Sequence, residues 1–223
     1  MNKKVLILCA HPDDEAIGCA GTIKKYADSG FEIALLFGTN GEGARSKGEQ
    51  NIGSRVNSLD ESNKILNIKK TFYLEYPDNQ LDSIPLLEIV KKIEKVIYDF
   101  KPSIVFTHHL GDLNIDHQII HKATMTACRP QTNFFVNEIF CYEVMSSTDW
   151  QLKNNNYFIP NVYVDITDHI KDKIKVLEIY KKEMREHPHA RSIENIINNA
   201  KVRGATVGFE YAEAFIQSIK LIK

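Results

Sequence analysis

Residues 5–10, Val-Leu-Ile-Leu-Cys-Ala, form an unbroken apolar run near the N-terminus. A strand with one solvated face alternates apolar and polar side chains, whereas a run without polar positions must be covered on both faces. That requirement points to a parallel sheet with helices on either side. The pattern downstream agrees. Residues 15–29 carry apolar side chains at helical spacing, Ile17, Ala20, Ile23 and Ala27, and stop at Gly30, a glycine suited to ending a helix. Further strands are expected at 31–39, 71–76 and 104–109, with helices at 54–66, 83–100 and 115–128. Strands at 138–144 and 162–166 follow, then helical spacing over most of 168–203 and an unassigned apolar tail. The expected fold class is α/β, a Rossmann-like doubly wound, mostly parallel sheet with helices on both faces. A length of 223 residues fits one domain, 1–223.

Composition removes several functions. A net charge of −1 gives no electrostatic case for nucleic acid or an anionic membrane. No segment approaches the length of a membrane span. The N-terminal apolar run is too short for a signal peptide and ends in His-Pro-Asp-Asp-Glu, so the cytoplasm is the expected compartment. Cys9, Cys19, Cys128 and Cys141 lack Cys-x-x-Cys spacing, which argues against a thiol zinc knuckle or a disulfide scaffold.

The first strand leads directly into His11, Pro12, Asp13, Asp14 and Glu15. Three adjacent carboxylates at the mouth of a buried strand repel one another unless a cation neutralises them or the stretch is an exposed helix start. An Asp cap with an acidic first turn would be the ordinary explanation. A second cluster, His108-His109-Leu-Gly-Asp-Leu-Asn-Ile-Asp116-His117, follows the fourth strand. In the usual order 3-2-1-4 the first and fourth strands are neighbours, so both clusters meet at the switch point where α/β sheets bind ligands. His11 and Asp14, with one histidine from the facing loop, then supply three ligands for a hydrolytic zinc ion. Asp13, on the same turn but pointing elsewhere, is left to face the attacking water, whose pKa such an ion lowers to about 7.

These residues resemble the PIG-L/LmbE-like family of metal-dependent N-deacetylases. Its first motif, Ala-His-Pro-Asp-Asp-Glu, is intact at 10–15, and Asp116-His117 is similar to the end of its second. Arg203-Gly204 and Tyr211-Ala-Glu-Ala-Phe215 are similar to its tail pattern. The resemblance implies zinc, with iron(II) an alternative, held by His11, Asp14 and His117. It implies Asp13 as general base, Asp116 as the group orienting a histidine behind the metal, and Arg55 and Asp78 as sugar contacts. The family carries a histidine three residues before the last ligand to stabilise the oxyanion; here that residue is Asn114. His109 or His108, earlier on the loop, or Asn114 itself, are the candidates for that role.

Competing motifs are incomplete. His117-Gln-Ile-Ile-His121 lacks the glutamate base of a His-Glu-x-x-His protease, so His121 is expected simply on a helix face. The stretch Gly-Ala-Arg-Ser-Lys-Gly-Glu-Gln lacks the Lys-Ser/Thr of a phosphate loop. No Gly-x-Gly-x-x-Gly follows the first strand, which argues against a nicotinamide cofactor. His187-Pro-His189-Ala-Arg191 fits a pocket wall or a surface turn equally well. The expected reaction is hydrolysis of an N-acetyl group from an amino sugar or sugar conjugate. Alternatives are hydrolysis of a non-sugar or thiol-conjugate amide, and a silent metal-dependent sugar-binding protein. The partner is a small N-acetylated molecule, and a homo-oligomer is compatible with the sequence.

Overall fold

The computed structural model describes residues 2–39, 52–130, 136–151 and 156–222, with only the backbone for 52–57. Its seven strands are β1 (Lys4–Cys9), β2 (Glu32–Thr39), β3 (Lys70–Tyr76), β4 (Ile104–His108), β5 (Glu138–Tyr142), β6 (Val162–Asp165) and β7 (Ala212–Lys220). They form one sheet in the order β3-β2-β1-β4-β5-β7-β6. The first five run parallel, and β7 lies antiparallel between β5 and β6. The sheet is therefore mostly parallel with a mixed edge.

Helices cover both faces: α1 (Asp14–Asp28), α2 (Ile52–Leu66), α3 (Leu86–Phe100), α4 (Ile115–Ala127), α5 (Ile170–Ile179) and α6 (Ile193–Val207). The alternation along β1 explains how. Val5, Ile7 and Cys9 enter a core shared with residues of α1, α2, α5 and α6, while Leu6, Leu8 and Ala10 enter one shared with α3 and α4. Both faces are dry, as the apolar run requires. β1 and β4 are adjacent, yet the helices that follow them leave to opposite faces. The crevice at their carboxyl ends is the switch point.

Local chemistry shifts three element boundaries from the sequence reading. The helix expected from 83 begins at Leu86, because Ile84 precedes Pro85 and is held extended at φ −101°, ψ 132°. The long helical stretch after 168 divides, with 180–192 forming an irregular connection around Pro188. The apolar tail is strand β7.

Helix α1 breaks at Cys19, where φ is −151° and ψ 18°. A break exposes orphan backbone groups on both sides. Here the Glu213 carboxylate of β7 accepts from the Gly21 and Thr22 amides at 3.0 and 2.7 Å. Lys173 of α5 donates to the Ile17 carbonyl at 2.8 Å and to Glu213 at 2.6 Å. The first half of α1 also lies very close to β5. A Cβ on Gly18 would fall 2.4 Å from Tyr142 Cδ2.

Candidate metal centre and active site

The turn after β1 is unusual in its backbone. Asp13 has φ 129°, a region costly for a residue with a Cβ, of order 1–3 kcal/mol. Such strain persists where surrounding bonds fix it. The Asp13 amide donates to Glu15 Oε2 at 3.1 Å, and Tyr180 donates to Glu15 Oε1 at 2.8 Å. Burial raises the Glu15 pKa to about 8, against the hydrogen bonds from Tyr180 and the Asp13 amide.

The structure brings His11, Asp14 and His117 together. His117 Nε2 lies 3.3 Å from His11 Nδ1 and 3.4 Å from Asp14 Oδ1, and His11 Nδ1 lies 3.5 Å from Asp14 Oδ2. Ligand atoms about 2.0–2.1 Å from a tetrahedral ion stand about 3.3 Å apart. Asp14 Oδ1 is buried without a hydrogen-bond partner, a position that a cation would satisfy. Spacing, ligand types and the orphaned oxygen all fit zinc.

A carboxylate stands close to the other nitrogen of each ligand histidine, the place where metal sites carry the partner that fixes tautomer and ring orientation. Asp112 Oδ2 is 3.2 Å from His117 Nδ1. Asp78 Oδ1 and Asp116 Oδ2 are 3.0 and 3.3 Å from His11 Nε2. His11, Asp78 and Asp116 could also converge on an ion, but both Asp116 oxygens already accept backbone amides, from Asn79 and Leu81. We read this trio as support for His11. Asp116 thus lies against His11, and Asp78, expected at the sugar, lies there too.

The charges follow from this geometry. Burial opposes protonation of His117, yet Asp14 and Asp112 on either side outweigh it and push its pKa up to about 9. His11 is likewise raised against burial by Asp116, Asp14 and Asp78. Burial favours protonated Asp112, but His117, Ser147 and Thr148 hold its carboxyl down at about 2. Burial raises Asp13 to about 6, against the pull of Arg191.

The three oxyanion candidates are engaged elsewhere. His108 is fully buried and its Nε2 accepts from the Ala10 amide at 2.9 Å. Burial lowers its pKa to about 4, so it is a neutral wall of the centre, stacked on His117 at 3.9 Å. His109 Nε2 pairs with the Asn156 carbonyl at 2.9 Å, and its ring packs edge-on against Phe158. Asn114 caps α4, its Oδ1 accepting from the Asp116 amide at 2.8 Å. His121 sits on the α4 face with Nδ1 2.8 Å from the His108 carbonyl. The Arg55 side chain and the stretch 43–50 that resembles a phosphate loop lie outside the described residues.

The sequence reading gave one residue no role and left another open. Asp112 stands four positions before Asp116, and nothing in spacing alone says which acid serves which histidine. Arg191, in a stretch equally compatible with a surface turn, reaches the centre: its Nη1 is 3.2 Å from Asp13 Oδ2 and its Nε donates to Ser146 Oγ at 2.9 Å.

Comparison with known proteins identifies the chain's family. The family profile PIG-L, described as GlcNAc-PI de-N-acetylase, matches residues 6–128, just over half the chain. Uncharacterized deacetylase YaiS of Escherichia coli is 28% identical over 74% of this chain and 83% of its own length. Diacetylchitobiose deacetylase of Thermococcus kodakarensis is 28% identical over 95% of this chain and 81% of its own. The structure of N,N'-diacetylchitobiose deacetylase from Pyrococcus horikoshii with its inhibitor MPG superposes with a TM-score of 0.78 at 25% identity, covering 96% of this chain and 83% of that one. With its first motif at the strand end and its second closing the same crevice, the chain belongs to the PIG-L family of deacetylases.

Proposed function

We propose that this protein removes the N-acetyl group from an N-acetylated amino sugar of the N-acetylglucosamine type, with zinc held by His11, Asp14 and His117. The observation that carries the reading is Asp13. Its carboxyl is buried beside the three ligand residues, stands outside their triangle, and is displayed by a strained backbone. Two relatives named for diacetylchitobiose support the sugar.

A zinc ion at that centre supplies Lewis acidity and makes water more acidic. Iron(II) suits the same His and carboxylate donors. The chain's own residues do the rest. Asp13 takes a proton from water as the water oxygen bonds to the acetyl carbon. It then returns that proton to the nitrogen as the C–N bond breaks, so acetic acid and the amine leave, and the acid's proton passes to the amine to give acetate and an ammonium. Asp112, Asp78 and Asp116 keep the ligand histidines oriented throughout.

A sugar-binding protein without turnover needs no base, and the strained display of Asp13 argues against it. The deciding experiment measures acetate release from a panel of N-acetylated sugars and thiol conjugates by protein with determined metal content. Asp13→Asn is expected to keep the metal and lose about 10²–10⁴-fold in kcat. Loss of metal in that variant would make Asp13 a ligand, and unchanged turnover would mean another base. Turnover confined to non-sugar amides would overturn the sugar assignment.

A further inference from the structure

The PIG-L-like sequence pattern places a histidine where this chain has Asn114, and Asn114 and its two loop histidines each make other contacts. His108 Nε2 accepts a backbone amide, His109 Nε2 is paired with the Asn156 carbonyl, and Asn114 caps a helix. Among the described residues, the arginine or lysine that touches the base is Arg191.

Arg191 is held from both sides. Its own amide donates to His189 Nδ1 at 3.0 Å, and its carbonyl accepts from the Arg185 amide at 3.2 Å. The next residue, Ser192, caps α6 by accepting from the Asn195 amide. The side chain is then anchored by Nε on Ser146 and Nη1 on Asp13 Oδ2. A guanidinium carries five N–H groups, so these two bonds leave a donor edge free of them. The side chain remains 23% exposed beside an Asp13 that is 5% exposed, which leaves room for that edge to meet a ligand at the mouth of the centre.

The position matters for charge. A base within hydrogen-bond reach of the attacking water, about 2.6–3.2 Å, also stands close to the acyl oxygen, one bond beyond the carbon under attack. A donor 3.2 Å from Asp13 is within reach of that oxygen. As Asp13 takes the proton, negative charge vanishes from beside Arg191 and appears on the acyl oxygen. A guanidinium serving Asp13 alone would resist the proton transfer. One that also donates to the acyl oxygen keeps a negative partner throughout.

Building on the deacetylase reading, we propose that Arg191 is a catalytic residue whose anchored guanidinium donates to the acyl oxygen of the scissile amide in the transition state.

The test uses zinc-loaded wild type, Arg191→Ala and Arg191→Lys, each checked for metal content and folded circular dichroism. Loss of one such donor costs about 10²–10³-fold in kcat, and that loss is expected for Arg191→Ala with little change in KM. Ethylguanidinium added to Arg191→Ala should restore part of kcat, and Arg191→Lys should fall between. Acetate titration by calorimetry gives a readout without turnover. Arg191→Ala should bind acetate about tenfold more weakly or worse, since a charged hydrogen bond is lost. Unchanged kcat, a loss confined to KM, or unchanged acetate affinity would overturn the proposal. If wild type hydrolyses no N-acetyl sugar, the deacetylase reading fails by itself. Acetate affinity then still decides whether Arg191 is an acyl-oxygen donor, with Arg191→Lys replacing Arg191→Ala should the latter not fold.

Discussion

Asp112 Oδ2 lies 3.2 Å from His117 Nδ1, on the side of the ring facing away from the candidate metal. The same carboxylate accepts from Ser147 and Thr148 hydroxyls and from the Asn114 amide. It therefore ties the ligand to the loops that shape the crevice. Removing such an outer partner costs about 10–100-fold in metal affinity. Asp112→Asn, nearly isosteric, should weaken zinc by that range in a chelator competition. Wild-type affinity would mean that His117 is oriented by something else.

Zinc binding should release protons. In the metal-free protein neighbouring carboxylates push the His117 pKa up to about 9 and raise that of His11, and a protonated histidine must lose its proton to bind an ion. Asp14 is held well below the ordinary carboxylate range by His117 despite its burial, so it contributes none. Calorimetry in buffers of different ionisation enthalpy should report net proton release on zinc binding at pH 7. The sign follows: apparent affinity falls as pH drops below about 9, because protons compete for His117. A heat independent of buffer would show the histidines already neutral.

The buried pair Lys173 and Glu213, 2.6 Å apart, serves three orphan backbone groups at the break in α1. Removing one partner of a buried pair typically costs about 3–5 kcal/mol, because the other charge is left unpaired. Lys173→Met should show a loss of that size in urea unfolding, and Lys173→Met with Glu213→Gln should lose less than the two singles summed. Additive losses would mean the two residues act independently.

Gly18→Ala should destabilise by overpacking, typically about 1–3 kcal/mol. The new methyl meets the Tyr142 ring, whose hydroxyl is 3.2 Å from His108 Nε2. Thermal melting reads the loss. A neutral effect would mean the ring yields freely.

What the sequence made legible follows one physical rule. Strands buried on both faces have no polar positions, so β1 and its neighbours declared themselves and located the switch point. His11 and Asp14 were legible because two clusters of metal-binding side chains ended adjacent strands, while His117 was singled out from the other histidines of the facing loop only by resemblance to the PIG-L family. Pairings across loops carry no such signal. Asp112, Asp116 and Asp78 are all acids near one crevice, and only the folded positions assign Asp112 to His117 and the other two to His11. Arg191 stayed ambiguous because its turn is irregular, and the break at Cys19 because helical spacing continues through it.

Strand β7 has a consequence for the order of assembly in the cell. The metal-binding turn at 11–14 is among the first parts synthesised, but the helix that follows it is bridged by Glu213, more than 190 residues later. While the chain is still on the ribosome, the halves of α1 lack that bridge and β5 lacks its antiparallel neighbour. Until β7 is made, the Gly21 and Thr22 amides of α1 lack the carboxylate that accepts them.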